Sequence, residues 1–341
     1  MTKKATEPVT VVIPAYNEAA SIVESVNSVR ESLSEAGIDH EIIVVDDGSS
    51  DQTYELALGT GVTVVRHKKN KGYGASLKTG IGLAKNDLIV ITDADGTYPP
   101  SSIPPLIEGM KDADMVVGAR VGQNVNIPLV RQPAKWFLRC LAGYITGERI
   151  PDLNSGLRAF RRQCVQQYMN ILPDKFSFTT TITVAMLCDN YEVVYLPIDY
   201  HKRTGKSKIV PWDFVNFTTL VIRLSMLFNP LKIFLPVSLA SLILGLFKLV
   251  VDILVAINSA EGLGIGALFT REVISASSLI FLISSLQILL IGMVADGIIR
   301  KFGRYAPQPL TYPVNKNELQ TEQAASQPPV FHDSTGRSRN F

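Results

Sequence analysis

Cysteine is scarce in this chain: Cys140, Cys164 and Cys188 are three among 341 residues and show no metal-ligand spacing. A sparse, odd-numbered set fits a reducing cytosolic face better than a disulfide framework, so the three are read as ordinary core residues. An excess of either charge is lacking too. The 33 Lys and Arg against 31 Asp and Glu leave a net +2, which gives no ground for a general polyanion surface or a nucleic-acid partner. Any anion site must be local. The opening MTKKATEPVTVVIPAYNEAA holds only a short apolar run, broken at Pro14, so it does not resemble a secretory signal and this part is expected to stay in the cytoplasm. A G-x-x-x-x-G-K-[ST] phosphate loop is also missing. The glycines of NKGYGASLKTG (Asn70 to Gly80) lack that spacing and are read as permitting a tight turn into a helix, with Lys71 solvated.

Long apolar runs are confined to the C-terminal third. Val273 to Ala295 runs for about 23 residues without a charge, long enough to cross a roughly 30 Å hydrocarbon layer as a helix. Leu231 to Ile257 is a second span, interrupted by Lys248 and Asp252, which are four apart and could face each other, a polar partner or the outer interface. The alternative, two buried helices of a soluble domain, is disfavoured because the Val273 segment has no polar face. Basic flanks (RLSMLFNPLK before, RKFGR after) and a loop with one base against two acids place both ends inside, that is, a multi-pass protein of the cell's inner (plasma) membrane. Pro211 to Phe228, apolar yet carrying Asp213 and Arg223, reads either as an interfacial helix or as a surface helix packed on the soluble domain. The expected layout is therefore a cytoplasmic domain over 1–210, an interfacial helix over 211–229, a two-helix hairpin over 230–304 and a disordered polar tail over 305–341. Neither span carries a G-x-x-x-G face, so homo-oligomerisation stays open.

Residues 1–210 alternate β-branched runs with helical stretches. Val9–Tyr16, His40–Asp47, Val62–His67, Asp87–Asp95 and Ala113–Arg120 read as strands, and the amphipathic segments between them imply an α/β fold with a mainly parallel sheet covered on both faces. Ligands of such sheets sit beyond the carboxyl ends of the strands, where Asp46, Asp47, Asp93, Asp95 and Arg120 all fall. Asp46 and Asp47 precede GSSD. A turn and helix cap accounts for Ser49, Ser50 or Asp51 but not for two further carboxylates, which suit hydrogen bonds from a base or ribose hydroxyls. In VITDADGTYPP, Asp93 and Asp95 would share a side-chain direction if the strand continued through them. Two carboxylates without nearby His or Cys suit Mg²⁺ or Mn²⁺ together with substrate phosphates.

VIPAYNEAASI, VVDDGSSDQT, NKGYGASLKTG, DADGTYPP and DLNSGLRAFRR resemble, in order and approximate spacing, the family 2 glycosyltransferases of the GT-A fold. The resemblance covers about residues 8–210 and looks most like the polyprenyl-phosphate glycosyltransferases, relatives of dolichol-phosphate mannose synthase, whose bacterial membrane-embedded members are similar in having two C-terminal spans. It implies that Pro14, Tyr16 and Glu18 help to hold a nucleotide, that Asp46 recognises the base, that Asp93 lies near the ribose or metal, that Asp95 ligates a metal bridging the diphosphate, and that Arg120 contacts substrate phosphate. It also implies Asp152 as catalytic base, with Asn154, Ser155 and Gly156 shaping the acceptor pocket; on its own, Asp152 could equally cap a turn. In HKRTGKSKI, Arg203 with Lys206 and Lys208 reads as a clamp for a lipid phosphate, against the plainer reading of a basic membrane flank.

The implied activity is transfer of a sugar, with inversion, from a nucleotide-diphosphate sugar (uridine by resemblance) to polyprenyl phosphate at the cytoplasmic face of the cell envelope. The rivals are another lipid or glycan acceptor, or an idle nucleotide-sugar-binding scaffold of a glycan-export complex. Two departures stand out. Gly96 and Thr97 replace the Leu-Gln common after DAD in relatives, which bears on a third metal contact and on the sugar. QPAKW (Gln132 to Trp136) has Lys135 where processive synthases have Arg and precedes Asp152 instead of following it, so Trp136 and Arg139 are read as part of a helix near the membrane.

Overall fold

Strand β1 (Val9–Ala15) lies near the middle of a seven-stranded sheet ordered β3-β2-β1-β4-β6-β5-β7 in a computed structural model of the chain. The structure describes residues 7–121, 132–175, 177–201, 213–259 and 275–302. Strands β2 (His40–Asp46), β3 (Thr63–Arg66) and β4 (Leu88–Ile91) run parallel with β1. The expected mainly parallel sheet is therefore present, with a mixed edge. β6 (Arg158–Arg161) runs antiparallel to both β4 and β5 (Met115–Ala119), and β7 (Val193–Pro197) pairs parallel with β5. These are the two strands that the sequence did not announce. Four-residue β6 is flanked by arginines, one of them fully buried, so it has no clear apolar run.

The chain leaves β1 toward β2 and β3 on one side and returns to β4 on the other. Such a reversal opens a crevice beyond the carboxyl ends of the two strands that flank it, here β1 and β4. Helices close both faces. In α1 (Ile22–Glu35) the buried Ile22, Val26, Val29 and Leu33 recur at helical spacing and pack on one face. α1 stops at Gly37, whose φ of 69° suits a residue without a Cβ, while Ile38 N–H reaches back to Leu33 O.

On the other face, α3 (Tyr73–Leu83) begins in the glycine-rich segment. Its first amides are used by protein: Gly74 N–H donates to Lys175 O and Ala75 N–H to Asp174 O. A Cβ on Gly74 would lie 2.0 Å from Pro173 O, and one on Gly80 2.3 Å from Val12 Cγ1. The glycines thus let α3 approach backbone and sheet closely, a role beyond the tight turn into a helix that their spacing implied. Gly74→Ala is expected to destabilise the fold by about 3 kcal/mol, because the clash is with a carbonyl that side-chain repacking cannot relieve; the shift of a denaturant midpoint reads it.

A third cluster joins α5 (Gln132–Thr146), α7 (Phe178–Cys188) and α8 (Asp213–Phe228) through Leu138, Ala142, Ile145, Val184, Leu187 and Val221. α8 buries Val221 and Ser225 and exposes Ile222, Met226 and Leu227. Two further helices, α9 (Leu231–Ser259) and α10 (Ala276–Phe302), form an antiparallel hairpin in which Ser238 Oγ donates to Ser285 O and Ser241 Oγ to Phe281 O. A Cβ on Gly292 would meet Phe234 Cβ at 2.6 Å. Small residues and serine bonds at the seam are what helix pairs use where apolar surroundings supply no hydrophobic drive. Lys248 and Asp252 pair with each other, and Asp252 also accepts from Ser275 and Ser278 at the end of the hairpin away from the sheet domain. Both helices are long and apolar enough to cross a membrane, and only 6% and 17% of their most apolar windows are buried, which is unlike a soluble core. The polar tail from 305 lies outside the described residues.

Candidate active site

A cavity of about 440 Å³ opens at the β1/β4 reversal. That is ample for a small ligand. Pro14, Tyr16 and Glu18 line it from the end of β1, Asp93 and Asp95 from the segment after β4, Arg120 from the end of β5, and Asn154 and Gly156 from the segment before β6. Residues far apart in sequence converge because each flanks a strand end on the same edge, Asn154 and Gly156 from the entry side of β6, which runs antiparallel to β4.

The two aspartates meet there for a different reason from the one their spacing implied. β4 stops at Ile91, and residues 94–96 turn. Gly96 takes φ 69° in that turn, and Asp95 Oδ1 accepts hydrogen bonds from Thr97 N–H at 3.2 Å and Thr97 Oγ1 at 2.6 Å. The departure at 96–97 thus has a physical account: glycine allows the turn, and the buried Thr97 hydroxyl orients Asp95. Asp93 Oδ1 accepts from the Tyr73 hydroxyl at 2.9 Å, and a Cβ on Gly156 would come within 2.7 Å of Asp93 Oδ2. Burial first, and then the negative charge of Asp93, keep the Tyr73 phenol protonated far above its ordinary range, so it acts as a donor.

Arg120 extends from β5 into a two-pronged pair with Asp152, Nε to Oδ2 at 2.7 Å and Nη2 to Oδ1 at 2.8 Å, and lies 5.2 Å over the Tyr200 ring. The Arg120 and Asn154 amides also donate to Asp152, at 3.1 and 3.2 Å. Burial alone would raise the Asp152 pKa, but these bonds and the Arg120 charge bring it down to about 2. A carboxylate so held is a weak base at neutral pH, and Asp152 is absent from the cavity wall. The structure thus sets Asp152, read from the resemblance as catalytic base, in a pair that orients Arg120.

Two other predicted residues lie away from the cavity wall. Asp46, the last residue of β2, is fully buried, 3.1 Å from Arg66 Nε, and accepts from Ser49 N–H. Asp47, the first residue after β2, reaches the cavity instead, where it accepts from Lys71 and Gly72 N–H and meets His67 Nδ1 at 2.7 Å. Ser155 is also fully buried; its Oγ donates to Gly118 O, and its carbonyl accepts from Arg158. It ties strands together instead of shaping an acceptor pocket, whereas Asn154, with Oδ1 accepting from Thr180, does line the cavity. Arg203, Lys206 and Lys208 lie outside the described residues.

Sequence reasoning missed the aromatic part of the wall. Tyr98 accepts from Gly156 N–H at 2.6 Å and packs edge-on against Tyr200, with ring centroids 5.3 Å apart. Tyr73 and Tyr98 lie within quoted motifs and Tyr200 directly precedes one, but no spacing rule marks a tyrosine as pocket-lining rather than core. Arg158 was missed as well. It is fully buried, donates to Ser155 O, Thr179 O and Thr183 Oγ1, and underlies the strands that carry Arg120 and Asn154.

Among the described residues no group of three His, Cys, Asp or Glu could hold a metal. Two carboxylates on one wall remain. That fits a divalent ion whose other ligands are substrate phosphates and water.

Residues 10–169 match the family described as glycosyl transferase family 2, and residues 229–300 match a family described as the GtrB C-terminal hairpin. An uncharacterised protein of Methanocaldococcus jannaschii is 32% identical over 200 residues, 55% of this chain and 79% of that one. The dolichol-phosphate mannosyltransferase of Pyrococcus furiosus is 31% identical over 214 residues, 59% of each chain. Among solved structures, glucosyl-3-phosphoglycerate synthase from Mycobacterium tuberculosis, in complex with Mn²⁺, UDP and phosphoglyceric acid, superposes with a TM-score of 0.52 at 20% identity, covering 65% of this chain and 80% of that one. That likeness shows a shared GT-A fold. The chain belongs to glycosyltransferase family 2.

Proposed function

We propose that the protein is a membrane-anchored, inverting glycosyltransferase that moves a sugar from a nucleotide-diphosphate sugar, a uridine one in our reading, to polyprenyl phosphate. The observation that carries this is the joining of one cavity, walled by Asp93, Asp95 and Arg120, to a hairpin long and apolar enough to enter a bilayer. Relatives named for transfer to polyprenyl phosphates support the acceptor class. In this reading residues 1–210 are the cytoplasmic catalytic domain, α8 lies at the interface, and α9 and α10 span the membrane.

The nucleoside rests against Pro14, Tyr16 and Glu18, with Asp47 rather than Asp46 offering a carboxylate to the base or ribose. Asp93 and Asp95 would hold Mg²⁺ or Mn²⁺, which when bound would neutralise the diphosphate leaving group. Arg120, oriented by Asp152, donates to phosphate. An oxygen of the acceptor phosphate forms a bond to the anomeric carbon while the bond from that carbon to the donor diphosphate breaks, and the nucleoside diphosphate leaves with the electron pair. The attacking phosphate is already anionic, so no base is needed, in accord with the low pKa of Asp152. Holding both substrates in one cavity reduces the entropic barrier.

Incubating the purified full chain with Mg²⁺ or Mn²⁺, short-chain polyprenyl phosphate and a panel of labelled nucleotide sugars tests the proposal. Labelled lipid with one donor is the expected result; nucleotide binding without labelled lipid for any donor would sink it. Tyr73→Phe is a finer probe, since it keeps the buried ring and removes the hydroxyl that orients Asp93. Mn²⁺ binding followed by electron paramagnetic resonance is expected to weaken by roughly tenfold, with the melting temperature little changed. Unchanged Mn²⁺ affinity would remove Tyr73 from the site.

A further inference from the structure

The acids that line the cavity, Glu18, Asp47, Asp93 and Asp95, come from the ends of β1 and β2 and from the segment after β4. The stretch from Asn154 to Thr179 adds Asn154, Gly156, Lys175, Ser177 and Thr179 to the wall, and no acid. Its donors are unused. Thr179 is only 7% exposed, yet among the described residues its hydroxyl has no partner, and neither have the Ser177 hydroxyl, Asn154 Nδ2 or Lys175 Nζ. The neighbouring Asp174 is taken by Lys78 at 2.6 Å, so it does not neutralise Lys175. A buried hydroxyl without a partner costs free energy, which a bound group offering an acceptor would recover. These side chains gather at the start of α7. The first amides of α3 are bonded to carbonyls of 174 and 175, but those of Phe178, Thr179 and Thr180 meet no carbonyl among the described residues, and no side chain caps α7. The positive end of that helix therefore opens on the cavity. Beneath it the buried Arg158 donates to Thr179 O, Ser155 O and Thr183 Oγ1 without bonding a carboxylate, which adds a fixed positive charge to this side.

We infer that the start of α7 is a second anion subsite, separate from the diphosphate position beside Asp93, Asp95 and Arg120, and that it receives the phosphate of the acceptor. A phosphate monoester offers several charged oxygens to the Thr179 and Ser177 hydroxyls, Asn154 Nδ2 and the Lys175 ammonium. The acids at the other strand ends would repel it, whereas this acid-free stretch would not. A neutral hydroxyl acceptor fits less well. It would have to give up a proton, and none of Asn154, Gly156, Lys175, Ser177 and Thr179 is a carboxylate or imidazole that could take it. The inference rests on the proposed transfer to polyprenyl phosphate and adds where the charge of that acceptor is held.

In the test, a short-chain polyprenyl phosphate and the matching polyprenol, which lacks the phosphate, are titrated by calorimetry into the purified full chain in the presence of Mg²⁺ and UDP. The wild type is expected to bind the phosphate roughly tenfold or more tightly than the alcohol. Thr179→Val keeps the buried volume, and Lys175→Met changes an exposed position. Each is expected to lose about tenfold in affinity for the lipid phosphate, with UDP affinity and melting temperature unchanged. Full retention of that affinity in both variants overturns the inference. So does a weakened affinity for a nucleotide uronate in place of the lipid, which would put a sugar carboxylate at α7, and so does inorganic phosphate binding as tightly as the lipid, which would make this a free-anion site. The labelled-lipid assay reads the other proposal. Phosphate-selective binding lost in both variants, without labelled lipid from any donor, would keep the subsite and defeat the transferase reading; labelled lipid formed by both variants at the wild-type KM for the acceptor defeats the subsite alone.

Discussion

Arg120→Ala is expected to destabilise the fold by about 3 to 5 kcal/mol, because it leaves Asp152 as a buried charge without its partner. The side chains of Arg120 and Asp152 are only 11% and 12% exposed, so water cannot stand in for the missing guanidinium. The double variant Arg120→Ala/Asp152→Ala is expected to regain most of that loss, as both charges then leave the interior. Transfer activity is not regained in either, and a fall on the order of 10² to 10³-fold follows from losing a donor aimed at phosphate charge. Denaturant unfolding of the wild type, both single alanine variants and the double variant, together with initial rates, tests this; additive losses would mean that the pair is not coupled.

The same pair fixes the sign of an acid effect. The folded pKa of Asp152 is held at about 2, below its unperturbed 3.8, so its stabilising contribution is present above about pH 4 and is lost as pH falls through 2. The wild type should therefore lose roughly 2 kcal/mol relative to the double variant between pH 5 and pH 2. No limb of the rate profile between pH 5 and 8 should belong to Asp152. A limb in that range that Asp152→Asn removes would restore Asp152 as a base.

Asp95→Asn is expected to reduce transfer by roughly 10³-fold, about 4 kcal/mol of transition-state stabilisation, by taking a charged oxygen from the wall that faces the leaving diphosphate. Asparagine keeps an acceptor for Thr97 N–H and Oγ1, so the 94–97 turn and the melting temperature should hold. Mn²⁺ binding should fall with the rate. Retention of both would show that Asp95 only supports the turn. Alanine is the poorer choice, since it would also strand the fully buried Thr97 hydroxyl.

Motifs at strand ends were legible because their surroundings repeat simple chemistry. Val9–Ala15, His40–Asp46 and Leu88–Ile91 are apolar enough to be recognised as buried strands, and acids and glycines placed directly after them cannot serve the core. What misled was local direction. Asp46 and Asp47 differ by one position, yet Asp46 ends β2 fully buried and Asp47, just past the strand, reaches the cavity. Asp93 and Asp95 converge through a turn centred on Gly96, not through strand alternation. Asp152 carries the same charge in sequence whether it meets solvent, substrate or Arg120; only the fold supplies the guanidinium that lowers its pKa.

The sequence by itself determined the alternation of strands and helices, the two apolar helices near the C-terminus and the side of the sheet on which charged residues gather, because hydrophobic period and run length are local properties. Tertiary structure alone decided which of those residues share a cavity, and that Tyr73, Tyr98, Tyr200 and the start of α7 belong to it. Those relations depend on the order of strands in the sheet and on contacts between segments tens of residues apart, which no local pattern encodes.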